Sequence, residues 1–258
     1  MKLGIAYNLF DGEELLEDSI KSIRENVEYI TVIYQNISNF GHESKTDLLT
    51  LLTQLKEQNL VDNFIEYKPQ INVGGHQNEM VKRNLGLYDC KRNNCTHFMS
   101  MDSDELYDKD QFKAVKDIMI NEEYDSSACQ LVTYYKSGEY RLDPKEDYYV
   151  SLIFKIRPGV EFVFGHPFPV MVDPTRRMVP GKCKIFTREE IEMHHFSYVR
   201  KDLNIKLTNS SASPNFKNIN KIVTYFNDWS PGKQALMGGA PDKFYNTVKV
   251  ENKFNIKI

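Results

Sequence analysis

The sequence predicts an α/β protein. Its first half is a mostly parallel, doubly wound sheet, and its second half is mixed or antiparallel and built on the same sheet. Three observations lead there. Over residues 1–110, short apolar runs alternate with longer amphipathic stretches. Beyond that point, strand-like runs follow one another with no long helix between them. With 258 residues, 41% of them hydrophobic, the chain can bury one sizeable core.

In chain order, Leu3 to Tyr7 forms a short buried strand, and Asn8-Leu9-Phe10-Asp11-Gly12 is a turn. Glu13 to Asn26 carries Leu15, Leu16, Ile20 and Ile23 at helical spacing, with acids in the first turn where the helix dipole favours them. Tyr29 to Tyr34 is β-branched and short, hence a strand. Thr46 to Gln58 is the next amphipathic helix, Phe64 to Tyr67 the third strand, Asn78 to Cys90 a helix and Thr96 to Met101 the fourth strand. In the second half, Ala128 to Tyr135, Tyr148 to Ile156, Val160 to Phe164 and Cys183 to Phe186 are expected strands. The expected organisation is a single domain: residues 1–110 bind a nucleotide, 111–216 an acceptor, and 217–258 form a less regular tail packed on the body.

Composition narrows the function classes. The net charge is −3, whereas proteins living on nucleic-acid backbone contacts are usually basic. The N-terminus lacks the apolar core of a signal peptide, and no apolar run is long enough to span a bilayer. The expected location is therefore the cytoplasm. Cys90, Cys95, Cys129 and Cys183 do not make a zinc pattern and are expected as free thiols.

The sharpest chemical feature is Asp102-Ser103-Asp104, directly after the fourth strand. Two carboxylates at i and i+2 beyond a strand end can reach a divalent ion. Their hard oxygens suit magnesium or manganese, which bridge diphosphate oxygens. The competing reading is a solvated turn with Asp104 or Asp108 capping the next helix.

With that motif in place, the chain resembles GT-A glycosyltransferases, especially family 2-like enzymes of bacteria and large viruses. The resemblance rests on the polar strand exit Tyr7-Asn8, the second strand end Tyr34-Gln35, Lys82-Arg83-Asn84, and the D-x-D. It implies a metal-dependent transfer of sugar from a nucleotide diphosphate sugar to an acceptor hydroxyl, with Mn2+ or Mg2+ as cofactor. By the resemblance, Tyr7, Gln35, Arg83, Asp102 and Asp104 line the donor site. Many members carry an acid where this chain has Gln35. His195, in Met193-His194-His195-Phe196, looks like the late histidine that completes the metal site, with His194 as the other choice in that register. Arg200, Lys201 and Lys206 look like basic residues that a C-terminal loop brings to the diphosphate. Glu146 and Asp147 look like the acidic pair that supplies a general base, which only an inverting enzyme requires.

Two Pro-rich loops, Gly165 to Pro169 and Asp173 to Arg177, are candidates for shaping the acceptor pocket. Arg176 and Arg177 could bind a negatively charged acceptor, and with Lys182, Lys184 and Arg188 they form a local basic cluster. The acceptor stays open between a saccharide and a hydroxymethylated base in phage DNA, and a viral protein would work in the host cytoplasm. Two alternatives accompany this reading. One is a catalytically silent glycan- or nucleotide-binding module. The other is a sugar-phosphate nucleotidyltransferase, against which the single glycine of the first loop argues. Asp104→Asn is expected to cripple metal-dependent donor binding and leave the fold nearly intact.

Overall fold

The computed structural model describes residues 1–239 and 241–258. Among these, twelve strands make one mixed sheet. Four parallel strands form its N-terminal half: β1 (Leu3–Leu9), β2 (Tyr29–Tyr34), β3 (Asn63–Glu66) and β4 (His97–Asp102). Their order is β4-β1-β2-β3, all parallel. The chain thus moves outward from β1 to β3, then returns to the other side of β1 as β4. That reversal opens a crevice at the carboxyl ends of β1 and β4, where Asn8 and Asp102 are register partners.

Alternation along the strands assigns each residue to a face. Leu3, Ile5, Tyr7 and Leu9 of β1 join Met99 and Met101 of β4 in the larger core. That core also holds Leu16 and Ile20 of α1 (Glu13–Ile23), Leu48, Leu52 and Leu55 of α2 (Leu48–Glu57), and Phe112 and Val115 of α4 (Lys109–Asn121). Ala6 and Phe98 face the other way, onto Leu87 and Cys90 of α3 (Gly75–Arg92). α3 lies unusually close to the sheet because residue 86 is glycine: a Cβ there would collide with that of Ala6. Asn8, Ser100 and Asp102 share the parity of Ala6 and Phe98, so α3 overlooks them.

The second half is antiparallel and mixed, as expected. β6 (Ser126–Tyr135) pairs antiparallel with β8 (Tyr149–Lys155), which continues the sheet onto β4, and with β7 (Ser137–Asp143). It also pairs parallel with β9 (Cys183–Ile185) and β10 (Glu192–Tyr198). The two-residue β5 (Glu105–Leu106) pairs with β10, placing His195 opposite Glu105.

Several expectations shift. Val160 to Phe164 is not a strand. Phe162 packs against Phe98 and Phe154, and the Asn84 side-chain amide bonds both its backbone N and its O, so it has no need of a strand partner. The α3 helix starts at Gly75, three residues before Asn78, and Glu13 to Asn26 ends in a tighter 3-10 turn from Arg24. The tail is more regular than predicted: α6 (Ile219–Asn227) packs with α5 (Leu203–Asn209). β12 (Lys243–Lys249) joins the sheet against β7, and β11 (Ala235–Met237) pairs with β12. Tyr135, Tyr198, Phe226 and Trp229 form a separate aromatic core beneath this C-terminal unit. All four cysteines are free.

Candidate active site

The crevice at the β1–β4 reversal opens into a cavity of about 820 Å³. The β1 end, the D-x-D, the first turns of α3, the 146–148 and 171–174 loops, β10 and the C-terminal unit all wall it.

The two motif aspartates have different surroundings. Asp102, still 35% exposed, is held from the α3 side. Arg83 donates to its Oδ1 at 3.4 Å and Arg176 to its Oδ2 at 2.6 Å. Arg83 is itself fixed by Ser100 (2.7 Å) and by Thr175 (3.2 Å), and Arg176 also grips the buried Glu105 through both guanidinium ends. Burial works against ionisation of Asp102, yet Arg176 and Arg83 outweigh it and hold the carboxyl below its ordinary range. Burial prevails at Glu105 and pushes its carboxyl up despite Arg176.

Asp104 is only 1% exposed and is held from the C-terminal side. Its Oδ2 accepts from Arg200 at 2.5 Å and from Lys206 at 2.8 Å. Its Oδ1 is buried with no hydrogen-bond partner, 3.8 Å from His195 Nε2. Burial again opposes the charge, but Lys206 and Arg200 keep this carboxyl well below its usual range. At His195 burial lowers the pKa against the attraction of Asp104, favouring the neutral imidazole. Arg200 can reach Asp104 because residue 12 is glycine. Gly12 has φ +89°, and a Cβ there would run into the guanidinium. Phe196 N donates to Asp104 O at 2.8 Å, tying the motif's backbone to β10.

An unpartnered buried carboxylate oxygen facing a neutral imidazole is a donor set that suits a divalent ion. Among the described residues, no group of three or more His, Cys, Asp or Glu is arranged to hold a metal. Magnesium and manganese are commonly held by one or two protein ligands, with water and phosphate oxygens completing the shell. The residues present fit such an ion, with Asp104 and His195 as ligands and Asp102 beside them.

The structure brings together most, not all, of the predicted residues. Gln35 lines the cavity, 1% exposed, with Oε1 unpartnered and Nε2 bonded to Ile37 O and Asn39. Glu146 and Asp147 also line it. Gln130 donates to Asp147 at 2.8 Å, and Glu146 lies close enough to His195 to act on its charge. Lys206 lines it as well.

Six predicted residues do not line the cavity: Arg83 and Arg200 are buried behind it, turned onto Asp102 and Asp104, and four more lie elsewhere. Tyr7 is wholly buried in the core on the other face of β1, its hydroxyl on Ser19, and burial raises its pKa steeply. The residue presented to the cavity is its neighbour Asn8, whose side-chain N and O are both buried and unpartnered. Lys201 points to solvent. Arg176 is 3% exposed and belongs to the Asp102–Glu105 network, where no acceptor could reach it, and Arg177 is spent on the carbonyls of Val172 and His166. The basic cluster of 176–188 is never assembled, because Lys184 pairs with Glu190, Arg188 with Glu192, and Lys182 bonds Glu122 O.

The prediction missed Asn8, Glu105 and Lys82. Asn8 was one residue from Tyr7, and the strand's period of two, taken with the apolar Leu3-x-Ile5 pattern, would have put Tyr7 in the core and Asn8 in the site. Glu105 had no signal beyond its adjacency to the motif. Lys82 is 4% exposed and lines the cavity, and burial lowers its pKa to about 8 although Glu79 and Asp102 pull the other way.

No protein-family model matches the chain, and no curated protein sequence does. Solved structures similar to it include S. aureus TarS residues 1–349, at TM-score 0.48 and 10% identity, covering 81% of this chain and 66% of that one. GalNAc-T7 with UDP, GalNAc and Mn2+ matches at TM-score 0.47 and 9% identity, covering 87% of this chain and 50% of that one. TarS 1–349 in complex with UDP-GlcNAc matches at TM-score 0.37 and 16% identity, covering 52% of this chain and 35% of that one. The chain spans between 22% and 36% of the first three TarS chains it matches. At these identities and scores, neither substrate nor mechanism passes from those proteins to this one.

Proposed function

We propose that the protein is a metal-dependent glycosyltransferase that moves a sugar from a nucleotide diphosphate donor to an acceptor hydroxyl. The observation that carries this reading is the position of the D-x-D. It sits at the carboxyl end of β4, at the strand-order reversal, with Asp104 Oδ1 unpartnered in a cavity large enough for a nucleotide sugar. Nucleotides bind at such reversals in open α/β sheets, and an orphaned buried carboxylate oxygen is costly unless a ligand completes it.

Asp104 and His195 would hold a manganese or magnesium ion, whose charge would neutralise the departing diphosphate. The rest of the chemistry belongs to the chain. Arg200 and Lys206 together occupy Oδ2 of Asp104, which leaves Oδ1 turned toward His195. Lys206, at the cavity wall, can also meet negative charge developing on the leaving group. Asn8 and Gln35 offer unpartnered amide atoms at the ends of β1 and β2, suited to a ligand with both donors and acceptors. If the reaction inverts, Glu146 is the better placed of the acidic pair to take the acceptor's proton.

The test is a thermal-shift screen of nucleoside diphosphates and nucleotide sugars, with and without manganese. A ligand that binds only the native state raises the melting temperature with its concentration. Stabilisation by one nucleotide class, dependent on manganese and lost in His195→Ala, is the expected result. Absence of stabilisation by any nucleotide in either condition would sink the proposal.

A further inference from the structure

Lys82 stands apart from the other buried cations around the cavity. Arg83 is committed to Asp102, Ser100 and Thr175, Arg176 to Asp102 and Glu105, and both Arg200 and Lys206 to Asp104. Lys82 lies on the second turn of α3, lines the cavity and is 4% exposed, yet it makes no hydrogen bond or ion pair among the described residues. Its neighbour Arg83 points about 100° away around the helix, into the Asp102 network. Most of the side chain is withdrawn from water while its Nζ still meets the cavity, and holding a cation there without a partner is costly. Here the adjacent acids, Glu79 and Asp102, attract it without reaching it. The open cavity is the direction left for its donors.

We infer that Lys82 receives an oxyanion, namely the diphosphate of the donor, on the α3 side of the cavity. The α3 side favours the donor over the acceptor, because Lys82 overlooks the Asn8–Asp102 end of the sheet, while Glu146 and Asp147 are tied to Thr133 and Gln130 of β6, two strands beyond β4. This inference rests on the donor-site reading above, and the experiment separates the two.

Inorganic pyrophosphate is titrated calorimetrically into wild-type protein, Lys82→Met and Lys82→Arg, all with EDTA so that no metal contributes. The wild type should bind, Lys82→Met should bind at least about tenfold more weakly, and Lys82→Arg should retain binding. The ligand-free melting temperature of Lys82→Met should equal or exceed that of the wild type, because an unpaired buried charge has been removed. Failure of the wild type to bind pyrophosphate, an unchanged Kd in Lys82→Met, or a lowered melting temperature in that variant would each overturn the inference. ADP, CDP, GDP and UDP are then tested as competitors. Displacement by one of them supports the donor assignment, whereas pyrophosphate binding alongside all four would overturn it. Pyrophosphate binding that depends on Lys82, combined with a negative nucleotide-sugar screen, would reject the transferase reading while leaving the oxyanion site standing.

Discussion

Asp102 and Asp104 are two residues apart but belong to different regions of the molecule. Asp102 faces the α3 side of the cavity: one partner comes from α3 and the other from the 174–176 turn packed beside it, and both its oxygens are engaged. Asp104 faces the C-terminal half, where Arg200 and Lys206 crowd one oxygen and leave the other for His195. The motif is therefore a seam between the α3 side of the cavity and its C-terminal side. One acid mainly bridges structure, while the other keeps a coordination site open. Identical residue types in one short motif acquire different roles because different segments of the fold close around them.

Replacing each acid by its amide tests that asymmetry, and the largest effect is expected at Asp104. Asp104→Asn leaves Arg200 and Lys206 facing a neutral amide in a buried setting, at a cost of about 3 kcal/mol in stability, and it removes manganese binding. The sequence-based expectation of a nearly intact fold is thus revised, because the carboxylate is the centre of a buried ion cluster. Asp102→Asn should cost about 1 kcal/mol, since Asp102 is partly solvated and Arg176 keeps Glu105. Denaturant melts and manganese titrations of both variants check this. Equal losses of stability and of metal affinity would erase the distinction.

Gly12→Ala should come next. It forces a side chain into the left-handed region, at about 1–2 kcal/mol, and drives Arg200 off Asp104. Manganese affinity should fall along with stability. A variant as stable as the wild type and unchanged in metal titration would detach Arg200 from the positioning of Asp104.

The smallest effect lies at the other end of β4. Burial lowers the pKa of His97 to about 4, with Lys155 adding to the effect. The unfolded chain therefore binds more protons than the folded one between about pH 6.5 and pH 4, and stability is lost as the pH is lowered through that window. Asp102 and Asp104, whose folded pKa values are depressed, lose their contribution only below the ordinary carboxylate range. His97→Gln should flatten the first limb by about 1 kcal/mol, allowing for screening of a partly exposed ring, and leave the second. Urea melts at stepped pH read both limbs. Loss of the lower limb instead would show that the seam had been disturbed from a distance.

Much of the scaffold could be read from the residues. The alternating runs Leu3 to Met101 placed four strands and three helices, because period-two and period-3.6 patterns are local consequences of burial on one face. Strand-end position singled out Asp102 and Asp104, the resemblance added Gln35, Glu146, Asp147, His195 and Lys206, and all of these line one cavity. Less was legible where a side chain's partner is distant in the chain. Arg176 and Arg177 resembled free loop charges because Glu105, 71 residues away from Arg176, is invisible to local pattern. Phe162 resembled a strand residue because the bonds from Asn84 that replace a strand partner span 78 positions.

What the sequence by itself determined is the order of strands and helices in the first half and the placing of two acids at a strand end. Both follow from local patterning, where neighbouring residues carry the information. Only the tertiary structure decided which carboxylate oxygen stays free, which cations are spent, and that Asn8 and Lys82 face the cavity. Those outcomes depend on charges that meet across long chain separations in a buried setting, where one partner more or less decides whether a group is closed or available.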